Sequence, residues 1–204
     1  MRRHAFAIVL LVLAVTSPAA AQEAGVEFNL DGRIVDAASP AAPMPFPEYV
    51  GPIPKDVGGS KLPFSSSRLV PVTADLVFPY SAVGKLYVTL ADGAVFSCTG
   101  TVVAPRLVLT AGHCFYVFRN GRGEFATSGT FIPAFRDNMA PYGRWSLTGG
   151  LVSSTWFNGG GKVPNAADYA LVEVDDLMID GKPQRISERI GGWIAAGGGK
   201  SYPG

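Results

Sequence analysis

Between Val83 and Thr110 strand formers and turn residues alternate so closely that no helix of useful length fits. Val83-Gly-Lys-Leu-Tyr-Val-Thr-Leu90 alternates and is rich in strand formers. Asp92-Gly93 is a strong hairpin-turn signal, and Val95 to Val103 reads as the returning strand. Pro105-Arg106 makes a second turn, and Leu107 to Thr110 a third short strand. Further runs follow at Thr130–Phe135, Trp145–Ser153 and Tyr169–Val174, separated by Gly, Pro and Asn. Short strands at this spacing predict an all-β fold, an antiparallel barrel or a sandwich. The helical pattern after residue 21 amounts to a single turn over Gln184–Ile190.

Composition supports one globular unit with a tail. The chain has 204 residues, 48% of them hydrophobic and 16% charged. Its 25 glycines and 16 prolines make about a fifth of the whole, below the level of a low-complexity chain. The net charge of +1 gives no basic excess large enough to suggest nucleic acid as a partner. Two cysteines and two histidines exclude a multi-site zinc protein, since a structural zinc takes four N or S ligands. No fixed repeat period is present, which excludes a solenoid.

Residues 1–21, MRRHAFAIVLLVLAVTSPAAA, have the form of an export leader. Arg2 and Arg3 precede an apolar run from Ala5 to Val15, too short to span a bilayer, and Ala19-Ala20-Ala21 is a small-residue cleavage site. The alternative is an uncut membrane anchor, which the shortness of the run and Pro18 disfavour. Cleavage removes two of the 17 basic residues and none of the 16 acidic ones, leaving a net charge of −1. The expected location is secreted or periplasmic, with no membrane attachment after the leader is gone. In an oxidising compartment Cys98 and Cys114 read as one disulfide, and with only two cysteines its pairing has no alternative. Two free buried cysteines are the other reading.

Residues 22–68 carry seven prolines, Pro40, Pro43, Pro45, Pro47, Pro52, Pro54 and Pro63. Within it PAAPMPFPEYVGPIPKD has neither a strand nor a helix period, and the region is expected to be disordered or polyproline-like and poorly packed. Ser65-Ser66-Ser67-Arg68 ends it with a protease-accessible joint. The region is either a pro-peptide, the preferred reading, or a permanent spacer. Residues 69–204 are the expected folded part.

Without the leader one histidine remains, His113, in Leu107-Val-Leu-Thr-Ala-Gly-His-Cys114. A lone histidine serves structure more often than catalysis. A general base needs a ring held in one place and open to a cleft, and a turn pinned by a disulfide supplies both.

Cys98-Thr-Gly-Thr-Val-Val-Ala-Pro-Arg-Leu-Val-Leu-Thr-Ala-Gly-His-Cys114 resembles the catalytic-histidine region of the trypsin-like, chymotrypsin-fold serine peptidases. Asn165-Ala-Ala-Asp168-Tyr-Ala-Leu-Val-Glu-Val174 is similar to that family's aspartate-bearing strand entry. The His-then-Asp order also matches. The resemblance implies that Asp168 holds the Nδ1–H of His113 and stabilises its imidazolium. Asp137, Asp175, Asp176 and Asp180 are competitors in turn-like settings. Phe78-Pro-Tyr-Ser-Ala-Val-Gly-Lys-Leu, Phe131-Ile-Pro-Ala-Phe and Pro141-Tyr-Gly-Arg-Trp resemble, more weakly, the bacterial glutamyl-endopeptidase branch. There a mature N-terminus is made by cutting a pro-segment, and the matching joint is near Arg68-Leu69. The implied fold is the first barrel of the chymotrypsin-like double barrel.

The family's serine sits in a Gly-x-Ser-Gly-Gly-like loop of the second barrel. Ser187 and Ser201 lack that context, and 36 residues follow Asp168. The expectation is an exported serine endopeptidase acting on protein or peptide substrates, truncated before its nucleophile and inactive alone. The alternatives are a non-catalytic binding or inhibitory barrel, and half of a split enzyme whose second chain supplies the missing barrel. No cofactor or metal site is assigned. Metal-dependent hydrolysis, a fourth reading, lacks ligands with one mature histidine and no H-E-x-x-H, and the sequence leaves calcium binding open, though no ordered calcium-loop string is present.

Overall fold

The computed structural model describes residues 25–34, 42–43, 74–119, 121–161 and 166–195. The leader, the Pro-rich stretch apart from 42–43, the joint at Arg68-Leu69 and Ser201 lie outside the described residues. The strands are β1 (Gly25–Asn29), β2 (Ala42–Pro43), β3 (Val83–Thr89), β4 (Val95–Ala104), β5 (Leu107–Thr110) and β6 (Tyr116–Arg119). They continue with β7 (Arg122–Phe125), β8 (Ser128–Pro133), β9 (Trp145–Ser153), β10 (Ala170–Val174), β11 (Leu177–Ile179) and β12 (Lys182–Gln184). Two single-turn helices, α1 (Ser154–Asn158) and α2 (Ile186–Ile190), complete the set.

The fold is all-β and is built on a closed antiparallel barrel. β9, β10, β5, β4, β3 and β8 pair in that order, and Thr130 opposite Ser146 with Phe131 opposite Trp145 returns β8 to β9. The ring closes at the start of β9, and the rest of that β9 edge, Gly149–Ser153, is taken by β1. The expected turns make the connections. Leu90 N–H donates to the Ala94 carbonyl at 3.0 Å, Gly93 takes φ 82°, and the Asp92 carboxylate accepts from the Ala94 N–H at 3.0 Å. Glycine suits a left-handed position because it has no Cβ to clash.

Alternation along the strands sends Leu86, Val88, Val102, Val108, Phe131 and Val172 into a fully buried interior. Each such side chain stabilises the barrel by about 2 kcal/mol through removal of apolar area from water. Gly100 faces the same interior, where an added Cβ would lie 2.6 Å from Val108 Cγ1. Tyr87 faces outward, and its ring meets Phe135 edge-on at 6.1 Å. α2 closes one side. Ser81 Oγ donates to the Ile190 carbonyl at 2.8 Å, and Ile194 N–H donates to the Val102 carbonyl at 2.9 Å.

Three features depart from the sequence reading. The front of the 22–68 region is not loose, because β1 pairs antiparallel with β9 over Gly25–Asn29. β2 also makes a short parallel pairing with β4, Ala42 with Phe96 and Pro43 with Ser97. Two small hairpins, β6–β7 and β11–β12, stand off the main ring. The strand expected at Thr130–Phe135 runs two residues earlier, Ser128–Pro133, because Ala134 turns the chain with φ 52°.

Candidate active site

His113 and Asp168 are 55 residues apart in sequence and meet through strand register. β10 pairs antiparallel with β5, Ala170 opposite Thr110 and Leu171 opposite Leu109. Extending that register two residues past Ala170 sets Asp168 across from Gly112, next to His113. β5 gives way after Thr110 to a single 3-10 turn over Gly112–Cys114, which lifts His113 out of the sheet plane.

The Asp168 carboxylate holds His113 twice. Oδ1 accepts the His113 backbone N–H at 2.8 Å, and Oδ2 lies 2.8 Å from Nδ1. A carboxylate can only accept, so Nδ1 carries the proton and Nε2 of the neutral ring has the basic lone pair. The side chains of His113 and Asp168 are 16% and 17% exposed, sheltered but still reachable from solvent. Gly112 keeps this approach uncrowded. A Cβ there would lie 3.0 Å from Trp156 Cδ1 and 3.2 Å from Asp168 Oδ1.

Two supports fix the turn. Cys114 is disulfide-bonded to Cys98 of β4, which ties the end of the turn to the neighbouring strand. Thr110 Oγ1 donates to the Thr99 carbonyl at 2.8 Å, locking β5 to β4 just before the turn. On the other side Trp156 of α1 is buried, with its ring centroid 6.4 Å from the imidazole in an edge-on arrangement. Its indole N–H donates to the Tyr116 carbonyl at 3.0 Å, and its backbone N–H donates to the helix-capping Ser153 Oγ at 3.3 Å. Sequence reading missed this tryptophan because α1 is one turn long.

His113 lines a cavity of about 630 Å³ together with the disulfide, Lys85, Ser97, Thr99 and Phe135. Lys85 Nζ sits 5.0 Å from the Tyr87 ring centroid and 5.1 Å from that of Phe135. The cavity wall thus carries one cationic side chain held over two aromatic rings.

The competing aspartates lie elsewhere. Asp176 pairs with Arg106, Asp137 is an exposed neighbour of Arg136, and Asp175 accepts the N–H of Asp176. Asp180 forms the β11–β12 turn with φ 50°. Ser187 lies within α2, its carbonyl accepting the Gly192 N–H at 2.8 Å. Ligand atoms of Cys98, His113 and Cys114 fall within 4.8 Å of one another. Both sulfurs are spent in the disulfide and neither is a thiolate, so one imidazole is all this cluster offers a metal.

Fold and site together define an all-β barrel with a His–Asp pair at its rim. The chain resembles the chymotrypsin-fold serine peptidases of the glutamyl-endopeptidase branch. Over 105 residues it is 30% identical to the glutamyl endopeptidase of Bacillus licheniformis, covering 52% of this chain and 30% of that protein. Over 78 residues it is 33% identical to the extracellular metalloprotease of Bacillus subtilis strain 168, covering 38% and 24%. Among solved structures, a Glu endopeptidase in complex with MPD is 26% identical, with 61% of this chain and 48% of that one covered and a TM-score of 0.46. The protease Anisep from Arthrobacter nicotinovorans is 29% identical, covering 55% and 48%, with a TM-score of 0.44. No family model matches the chain. The chain spans about a third or less of the length of the curated relatives it matches.

Proposed function

We propose that this chain carries the general base and its orienting acid for an exported serine endopeptidase. The observation behind the reading is the double hold of Asp168 on His113, through the backbone N–H and through Nδ1. A histidine kept only for structure gains little from a carboxylate that fixes its tautomer. A general base gains an Nε2 lone pair in a defined direction.

His113 Nε2 takes the proton of a serine hydroxyl as the oxygen attacks the scissile carbonyl, and then gives it to the leaving amine. Asp168 orients the ring and stabilises the imidazolium between the two steps. The Cys98–Cys114 disulfide and Trp156 hold the turn still. No serine of the 204 residues stands in a Gly-x-Ser-Gly-Gly loop. The attacking serine and its oxyanion donors are therefore assigned to sequence outside these residues, and the 204-residue chain alone is inactive. Export rests on the form of residues 1–21, and the extracellular relative named above supports it.

Two experiments test the reading. The purified 204-residue chain takes up no serine-directed fluorophosphonate; strong labelling of it would overturn the assignment of the serine. In a longer form that contains the serine, His113→Ala lowers turnover by roughly 10⁴-fold while thermal unfolding is little changed. Wild-type turnover in that variant would refute the base.

A further inference from the structure

Residues Gly25–Asn29 lie far ahead of the barrel in sequence but directly on it in space. β8 covers only the start of β9, at Trp145 and Ser146. From Gly149 to Ser153 the same edge of β9 is taken by β1, with Gly25 opposite Ser153 and Asn29 opposite Gly149. An edge of unpaired N–H and C=O groups is a template for an added strand, and side chains set which strand fits.

Three observations fit β1 to this edge. A Cβ on Gly149 would lie 2.6 Å from the Phe28 carbonyl oxygen, and its next two neighbours also belong to β1. The glycine makes room for β1. Phe28 is buried and stacks on Phe115 at 5.4 Å and Phe125 at 5.3 Å, both at 24°. The pairing also continues past the strand. Leu30 N–H donates to the Thr148 carbonyl at 2.9 Å, and Asp31 N–H donates to the Thr127 carbonyl at 3.0 Å.

We propose that the Gly149–Ser153 edge is a strand-docking site whose occupant is residues 25–31 of this chain. The occupant stays on the barrel when the chain is cut between it and Ala74. The front of the 22–68 region is then a lasting strand partner of the barrel and not a discarded leader, whatever happens at Arg68-Leu69. This inference does not depend on the peptidase reading.

The test uses the full chain with a unique protease site inserted between Gly59 and Ser60. After cutting is complete on a denaturing gel, the native sample is run on size exclusion. The expected result is co-elution of the N-terminal piece with the barrel, lost in Gly149→Ala and in Phe28→Ala while the far-ultraviolet spectrum of the barrel persists. Separation of the wild-type pieces overturns the proposal. Co-elution that survives both variants overturns it too, because the contact would then not be the β1–β9 pairing. Should Gly149→Ala not fold, Phe28→Ala, which lies outside the ring, decides alone. An uncut chain that runs as a dimer, and becomes a monomer in Phe28→Ala, would assign the occupant to a second copy and overturn the intrachain assignment.

Discussion

Gly149 and Gly150 are adjacent on β9, yet each serves a different neighbour. A Cβ on Gly149 would strike the Phe28 carbonyl oxygen of β1 at 2.6 Å, whereas one on Gly150 would strike the Leu171 carbonyl oxygen of β10 at 2.3 Å. β10 is a wall of the closed ring and carries Asp168 at its entrance; β1 is appended to the outside. The pair shows that one strand can hold two levels of structure. Loss of the outer one is expected to leave the barrel standing, and loss of the inner one to take the site with it.

Substitutions should separate these levels. The largest effect is expected from Gly150→Val. Its side chain pushes β10 off β9, costs about 3 kcal/mol or more in denaturant unfolding, and disrupts the His113–Asp168 pair. Cys98→Ser with Cys114→Ser frees the ring's β4 from the His113 turn and costs about 3 kcal/mol on the chain-entropy model for so short a loop. A measured loss near zero would mean the turn is held by Trp156 and Asp168 without the disulfide. Asp168→Ala leaves the His113 N–H without its charged acceptor and costs about 2 kcal/mol in the same assay.

The outer level responds more weakly. Gly149→Ala costs about 1 kcal/mol, with faster amide exchange confined to residues 26–31. Faster exchange spread over β3 and β4 would erase the distinction between the two glycines. The smallest effect is expected at Asp92, whose carboxyl is held below the usual carboxylate range by the Ala94 N–H and then by Arg119. With a depressed folded value, its contribution is present above about pH 4 and fades as pH falls through that value. Asp92→Asn therefore flattens the acid side of the stability curve slightly. Asp31 after β1 is lowered in the same direction, by the Arg33 side chain and then its backbone N–H. Asp31→Asn should speed β1 exchange above about pH 4, where the carboxylate is charged, with the difference fading at lower pH and global unfolding little changed.

Much of the ring was legible in the sequence because its signals are local. Alternation across Val83–Leu90 and the Asp92-Gly93 turn mark one hairpin, and the run read at 145–153 is β9 itself. The small hairpins had signals that went unused. Asn120-Gly121 and Asp180-Gly181 are turn dipeptides, and Gly121, Asp180 and Gly181 take positive φ. β1 could not be found in this way. Gly25-Val-Glu-Phe-Asn29 is five residues long, its partner is more than a hundred residues distant, and only the shape of the β9 edge selects it. At the site, His113 and Asp168 were singled out by motif resemblance, while the register that brings them together came from the barrel. Trp156 and the role of Gly112 depended on tertiary packing and had no local signature.

The most direct measurement is nitrogen-15 NMR of the imidazole of His113, the chain having one other histidine, His4. The account predicts a neutral ring protonated at Nδ1, with an Nε2 shift typical of an unprotonated nitrogen, and loss of that preference in Asp168→Ala. A ring protonated at Nε2, or one whose tautomer is unchanged in Asp168→Ala, would contradict it.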